Sequence, residues 1–154
     1  MIEINNLTEE FLDEKFFRQC ALMILKNEKK KDIDLSIAFV DANEIKRVNK
    51  KYRNKNKTTD VLSFGEFEFR DFLTKEKQDF KKFLKFAEII ICVEEIKKKS
   101  AKFNLIFNKE IKRVFIHGIL HILGYVHEKN IKQARIMKEK ENYYLSLCEI
   151  KDKN

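Results

Sequence analysis

The chain of 154 residues has no proline and only three glycines, three cysteines and three histidines. With no proline, no Gly/Ser-rich stretch, no repeat and no long block of one charge, nothing marks a linker, so residues 1–154 are expected to form a single domain. Long apolar runs are also missing. The longest, Ile89 to Val93, is five residues, against the roughly 20 that a membrane-spanning helix needs. The first residues, Met1-Ile2-Glu3-Ile4-Asn5-Asn6, lack the basic start and apolar stretch of a secretory signal, so a cytoplasmic protein with reduced thiols is expected. Cys20, Cys92 and Cys148 are odd in number, far apart and never in a C-x-x-C pair. That pattern argues against a disulfide framework and against a cysteine-built zinc site.

What the chain does have is apolar bulk and positive charge. Hydrophobic residues make up 44% of it, with 14 phenylalanines, and a chain of roughly 150 residues buries about 68–70% of its unfolded surface. Intrinsic disorder is excluded on that ground. Lys and Arg number 33 against 25 Asp and Glu, a net charge of +8.

Residues Met1 to Asn5 alternate weakly and suit a first strand. A long amphipathic helix is expected from Thr8, as N-cap, through Phe11, Leu12, Phe16, Cys20, Met23, Ile24 and Asn27. Ile33 to Val40 alternates as a strand does. Asp41 with Glu44 forms a capping box for a helix to about Lys51. Val61–Phe64 and Glu66–Phe69 look extended, with Gly65 as a bulge or bend between them, and Lys75–Lys85 suits a surface helix or insertion. Phe86 to Val93 is nearly all apolar, as in a central strand buried on both faces, and Glu94 to Lys102 reads as helix. A helix from about Asn108 to Leu123 is too apolar for the surface, and Gly124 can end it in a left-handed conformation. Asn130 to Ile150 closes the chain as an amphipathic helix. The expected class is α+β, a single-domain layer structure with a small mixed sheet packed against several helices.

All three histidines and two of the three glycines fall between positions 117 and 127. Residues four apart on a helix share one face, so His117 and His121 can aim two imidazoles at one point, and a turn at Gly124 makes His127 available as a third donor. Three neutral imidazoles are a ligand set for zinc that leaves the fourth position open to water, the catalytic arrangement; Glu128 is the residue that could close it. The peptidase signature H-E-x-x-H is absent, because Gly118 follows His117. A glycine inside a helix costs about 1 kcal/mol relative to alanine, so a strand or a substrate should approach the backbone there.

Lys46, Arg47, Lys50, Lys51, Arg53, Lys55 and Lys57 form a second cluster with Tyr52 inside it and no acidic residue between them. Dense positive charge beside a flat ring suits a phosphate backbone and a stacked base, whereas composition alone favours the plainer reading, a solvated face of a lysine-rich protein. Lys97-Lys98-Lys99 reads instead as a solvated face.

The two segments together carry a resemblance. His117-Gly118-Ile119-Leu120-His121-Ile122-Leu123-Gly124-Tyr125-Val126-His127 resembles the H-G-x-L-H-L-x-G-[FY]-D-H signature of the YbeY family, the metal-dependent endoribonucleases also called rRNA maturation factors. Asn49 through Phe64 is similar to that family's N-x-x-Y-R-x-K-x-x-P-T-D-V-L-S-F motif. The resemblance implies a zincin-like fold, one zinc ion per chain on His117, His121 and His127, and cleavage of single-stranded RNA. It also implies a role in 3′-end maturation of 16S rRNA and ribosome quality control, with ribosomal RNA and small-subunit ribosomal proteins as partners and no membrane. Arg53 matches the arginine of the family's cleft, and Lys50, Lys51, Tyr52, Lys55 and Lys57 would contact RNA. Val126 stands where the family has Asp, Ala87-Glu88 where it has Gly-Asp, and Thr58 and Gly65 where prolines are common. Two other classes fit parts of the pattern: a non-catalytic ribosome- or RNA-binding module with a structural metal, and a hydrolase acting on a peptide or small amide.

Overall fold

The computed structural model describes residues 1–65, 85–125 and 130–153. In these, five helices pack on a four-stranded mixed sheet, the expected α+β class. The strands are β1 (Ile2–Asn6), β2 (Asp34–Val40), β3 (Val61–Gly65) and β4 (Phe86–Cys92), in the order β1-β2-β4-β3. β1, β2 and β4 run parallel, and β3 lies antiparallel at the edge with Ser63 opposite Ile89. The central position of β4 follows from its composition: Ala87, Ile89 and Ile91 face one layer and Ile90 and Cys92 the other, so both faces are covered from Ile89 onward, while Phe86 at the strand's start is exposed.

The helices are α1 (Glu14–Asn27), α2 (Ala42–Arg53), α3 (Val93–Lys102), α4 (Phe107–Ile122) and α5 (Ile131–Asp152). α1 begins later than the sequence suggests. Thr8 is drawn into a turn in which its N–H and hydroxyl both donate to Asn6 Oδ1, at 3.1 and 2.7 Å, and the N-cap is Asp13, which accepts from Phe16 N–H at 3.0 Å. Short polar side chains that bond their own backbone compete with helix in this way. Asp41 caps α2 as expected, accepting from Glu44 N–H at 2.8 Å, although the Glu44 carboxylate turns to Arg47 and does not reach back to the cap. α4 ends at Gly124, whose φ of 95° lets the Gly124 N–H reach His121 O and the Tyr125 N–H reach Leu120 O, at 3.0 and 3.1 Å. Seven residues of α4 are buried, among them Phe115 and Leu120, in accord with its apolar sequence. The second extended stretch, residues 66–69, and residues 75–84 of the expected surface helix or insertion lie outside the described residues.

α1, α4 and α5 cover one face of the sheet, where Phe17, Phe39, Phe115 and Tyr144 belong to the main core. α2 covers the other face, over Val40, Leu62, Phe64, Ile90 and Cys92. Where α1 meets α5 the expectation of reduced, unpaired thiols is corrected: Cys20 and Cys148, both buried, form a disulfide across a Cα separation of 5.4 Å. The pairing comes from the docking of two helices whose cysteines are 128 residues apart in sequence, which spacing motifs cannot register. Cys92 is free and buried, and burial pushes its thiol up. Among the described residues no helix is long and apolar enough to cross a membrane.

Candidate metal centre and nucleic-acid interface

His117 and His121 sit on successive turns of α4, half-buried, with their rings 4.5 Å apart between centroids and inclined at 74°. The four-residue spacing thus puts the two rings side by side on α4. His127 and Glu128 lie outside the described residues, and among the described residues no group of three His, Cys, Asp or Glu side chains is placed to hold a metal ion. The two imidazoles fit zinc as the start of a ligand set: each carries a ring nitrogen of the right softness, and they share one helix face. Behind His117, its Nδ1 meets Oε1 of Glu141, a carboxylate on α5 that is only 6% exposed. The helical period places Glu141 among the inward positions of the last helix without giving it a role. A charged residue in an apolar helical stripe is the available signal.

Gly118 explains the glycine inside the helix. A Cβ there would stand 3.0 Å from Ile89 Cγ2 and 3.4 Å from both Ser63 Oγ and Val61 Cγ2, so the sheet itself makes the close approach. Ser63 takes part twice. Its hydroxyl donates to Gly118 O at 3.3 Å, and its carbonyl accepts from the Arg53 guanidinium at 2.9 Å. One residue of the edge strand thus joins the histidine helix to the cationic segment.

That segment is exposed. Lys50, Lys51, Tyr52 and Arg53 end α2, and Lys55 and Lys57 follow in the loop. The loop is built by Asn49, which is buried and donates from its side chain to Lys57 O at 2.9 Å, and by Asn54, whose left-handed φ of 55° ends the helix. Arg53 lies 5.2 Å above the Phe64 ring, Tyr52 packs edge-on to the same ring at 5.6 Å, and Lys51 lies 5.1 Å from the Tyr52 ring. Phe64 therefore anchors both polar side chains on the edge strand. Lys97, Lys98 and Lys99, read as a solvated face, pair with Glu10, Glu95 and Asp60.

A third polar cluster has no signature in the sequence. Glu28, at the end of α1, accepts from Tyr125 Oη at 2.9 Å, from Tyr144 Oη at 2.5 Å and from Lys140 Nζ at 2.8 Å. Burial pushes the Glu28 carboxyl up, but the bonds from Lys140, Tyr144 and Tyr125 outweigh it and hold the group below the usual value. Lys140 is raised by its bond to Glu28, and Tyr144 is raised by burial and by the same carboxylate. The cluster fixes Tyr125, the residue directly after the Gly124 turn.

Comparison with known proteins decides the lineage. The family profile described as Endoribonuclease YbeY matches residues 3–149. The chain belongs to the YbeY family. Endoribonuclease YbeY of Persephonella marina is 33% identical over 131 residues, spanning 85% of this chain and 80% of that protein. Endoribonuclease YbeY of Leptospira interrogans is 34% identical over 137 residues, spanning 84% of this chain and 97% of that protein. The fold is similar to the solution structure of TM1509 from Thermotoga maritima, with a TM-score of 0.64 at 29% identity, covering 96% of this chain and 89% of that one. This similarity accords with the α+β class; the second of the two motifs that suggest YbeY runs from α2 into β3, the strand packed against Gly118 of the histidine motif.

Proposed function

We propose that this chain is a zinc-dependent, single-strand-specific endoribonuclease acting in 3′-end maturation of 16S rRNA and in ribosome quality control, in the cytoplasm with small-subunit ribosomal proteins as partners. Membership of the YbeY endoribonuclease family supports RNA as substrate and hydrolysis as reaction class. The observation that carries the reading to these residues is the pair of hydrogen bonds made by Ser63, which sets the Arg53 side chain and the His117–His121 pair on either side of one strand.

His117 and His121, with His127 as the third donor, would hold the zinc ion. When bound, zinc supplies Lewis acidity and activates water for attack on a phosphodiester. Arg53 would pair with non-bridging phosphate oxygens through its planar fork and stabilise the charge that builds there. Tyr52 offers a face for an unpaired base, and Lys50, Lys51, Lys55 and Lys57 hold flanking phosphates. β3, which touches α2 and α4 through Ser63, would border the path of a single strand.

The test is cleavage of a single-stranded RNA by wild type, His121→Ala and Arg53→Ala after chelation and zinc return. Chelation is expected to abolish cleavage and zinc to restore it in wild type. His121→Ala should stay inactive, and Arg53→Ala should lose about 10²–10³-fold in turnover, as removal of one charge-stabilising donor does. Cleavage indifferent to all three treatments rejects the proposal.

A further inference from the structure

Glu141 is the one buried acidic side chain among the described residues, and it faces no solvent that could stabilise its charge. It is held by two partners from α4. Its Oε1 meets His117 Nδ1, and its Oε2 lies 3.9 Å from Arg113 Nη1. Arg113 is itself fixed by Glu110, which accepts from its Nε and Nη2 at 3.1 and 2.9 Å. Glu110, Arg113 and His117 follow at intervals of three and four residues, so they form one stripe along α4, and Glu141 closes that stripe from α5.

We propose that Glu141 is a positioning residue that sets the tautomer and ring orientation of His117. A carboxylate accepts hydrogen bonds and does not donate them, so its place beside Nδ1 puts the proton of the neutral ring on that nitrogen. Nε2 is then left as the lone-pair donor, on the side of the ring away from Glu141. Without the carboxylate the proton distributes between both nitrogens, and part of the population presents an N–H where a ligand nitrogen is required. Arg113 balances the charge of Glu141 and keeps it in place, and Glu110 keeps Arg113 there. In this chain the last helix, outside both motifs, thus prepares the first histidine for its ligand. The inference rests on the proposal that His117 is a metal ligand, and extends it to a residue that the motifs do not include.

Two measurements separate the inference from that proposal. In the metal-free wild-type protein at pH 8, nitrogen-15 NMR of the imidazoles reads the tautomer directly. His117 is expected as the Nδ1–H form, and as a mixture in Glu141→Gln, whose amide can both donate and accept. Zinc affinity, read by competition with a chromophoric chelator, is expected to fall about 10–100-fold in Glu141→Gln, the usual effect of losing a carboxylate behind a ligand histidine. Glu139→Gln, which changes an exposed carboxylate of the same helix paired with Arg135, should bind zinc within about twofold of wild type. An Nε2–H form of His117 in the wild type overturns the inference without any variant. So does Glu141→Gln that keeps wild-type zinc affinity while His121→Ala loses it. Should wild type itself take up no zinc, the metal proposal fails, and the tautomer comparison still decides whether Glu141 sets the ring.

Discussion

The two faces of the sheet handle charge in opposite ways. On the face covered by α1, α4 and α5, the acidic groups of Glu28 and Glu141 are withdrawn from water and matched to Tyr125, Tyr144, Lys140, His117 and Arg113. On the face covered by α2, Lys50, Lys51, Lys55 and Lys57 project into solvent, and Arg53 and Tyr52 are placed by Phe64 and Ser63. Interior pairs work at low dielectric, where they fix geometry and salt hardly reaches them. Exposed cations act through a field that fades beyond about 8 Å at physiological ionic strength. The comparison separates buried, paired carboxylates from exposed cations, with strand β3 between them.

The largest test of this contrast is the disulfide on the densely packed face. Closing 128 residues of chain removes denatured-state entropy equivalent to about 5 kcal/mol in the loop-closure treatment, so reductant, or Cys20→Ser, should lower the unfolding free energy by up to that amount. Chemical denaturation with and without reductant measures it, and equal midpoints would show that the two helices stay docked without the bond. Next in size are core truncations. Phe115→Ala should cost about 3–5 kcal/mol and Ile45→Ala, in the smaller core beneath α2, about 2–3 kcal/mol. Equal losses would mean that the α2 face is as tightly determined as the other.

The Glu28 cluster gives a smaller, pH-dependent effect. The folded pKa of Glu28 is lowered, so its contribution is present above the unfolded value of 4.5 and is lost as pH falls through the folded pKa. Lys140 and Tyr144 have raised values, so theirs is present below the ordinary 10.5 and 10.0 and is lost as pH climbs through the folded pKa values. Glu28→Gln should therefore cost about 2 kcal/mol at neutral pH and flatten both limbs of the stability profile. A profile unchanged in shape would remove Glu28 from its role in holding Tyr125. The smallest effect on folding belongs to the α2 face. Lys55→Ala with Lys57→Ala should leave thermal unfolding where it is. The same change should weaken single-stranded RNA binding and reduce its logarithmic salt slope by about 0.7 for each phosphate no longer neutralised.

Much of this arrangement is legible in the residues. The i, i+4 pair of His117 and His121 on a buried helix, the Asp41 cap and the glycine stop at 124 follow from local spacing, because each is fixed within a few residues of chain. The close approach at Gly118 is likewise legible, though which strand makes it is not. The start of α1 departs from expectation because Asn6 and Thr8 bond to each other and leave capping to Asp13.

Helical and strand periods in the sequence determined the expected α+β class, and the resemblance of two segments to the YbeY motifs pointed to the family. Only the tertiary structure decided that Ser63 touches both segments, that Glu141 stands behind His117 and that Cys20 meets Cys148, across 55, 24 and 128 residues of sequence. Helical and strand periods repeat over a few residues and can be read along the chain. Which side chains face each other across packed elements depends on how whole layers dock, and that is set by the summed burial of the core rather than by any local pattern.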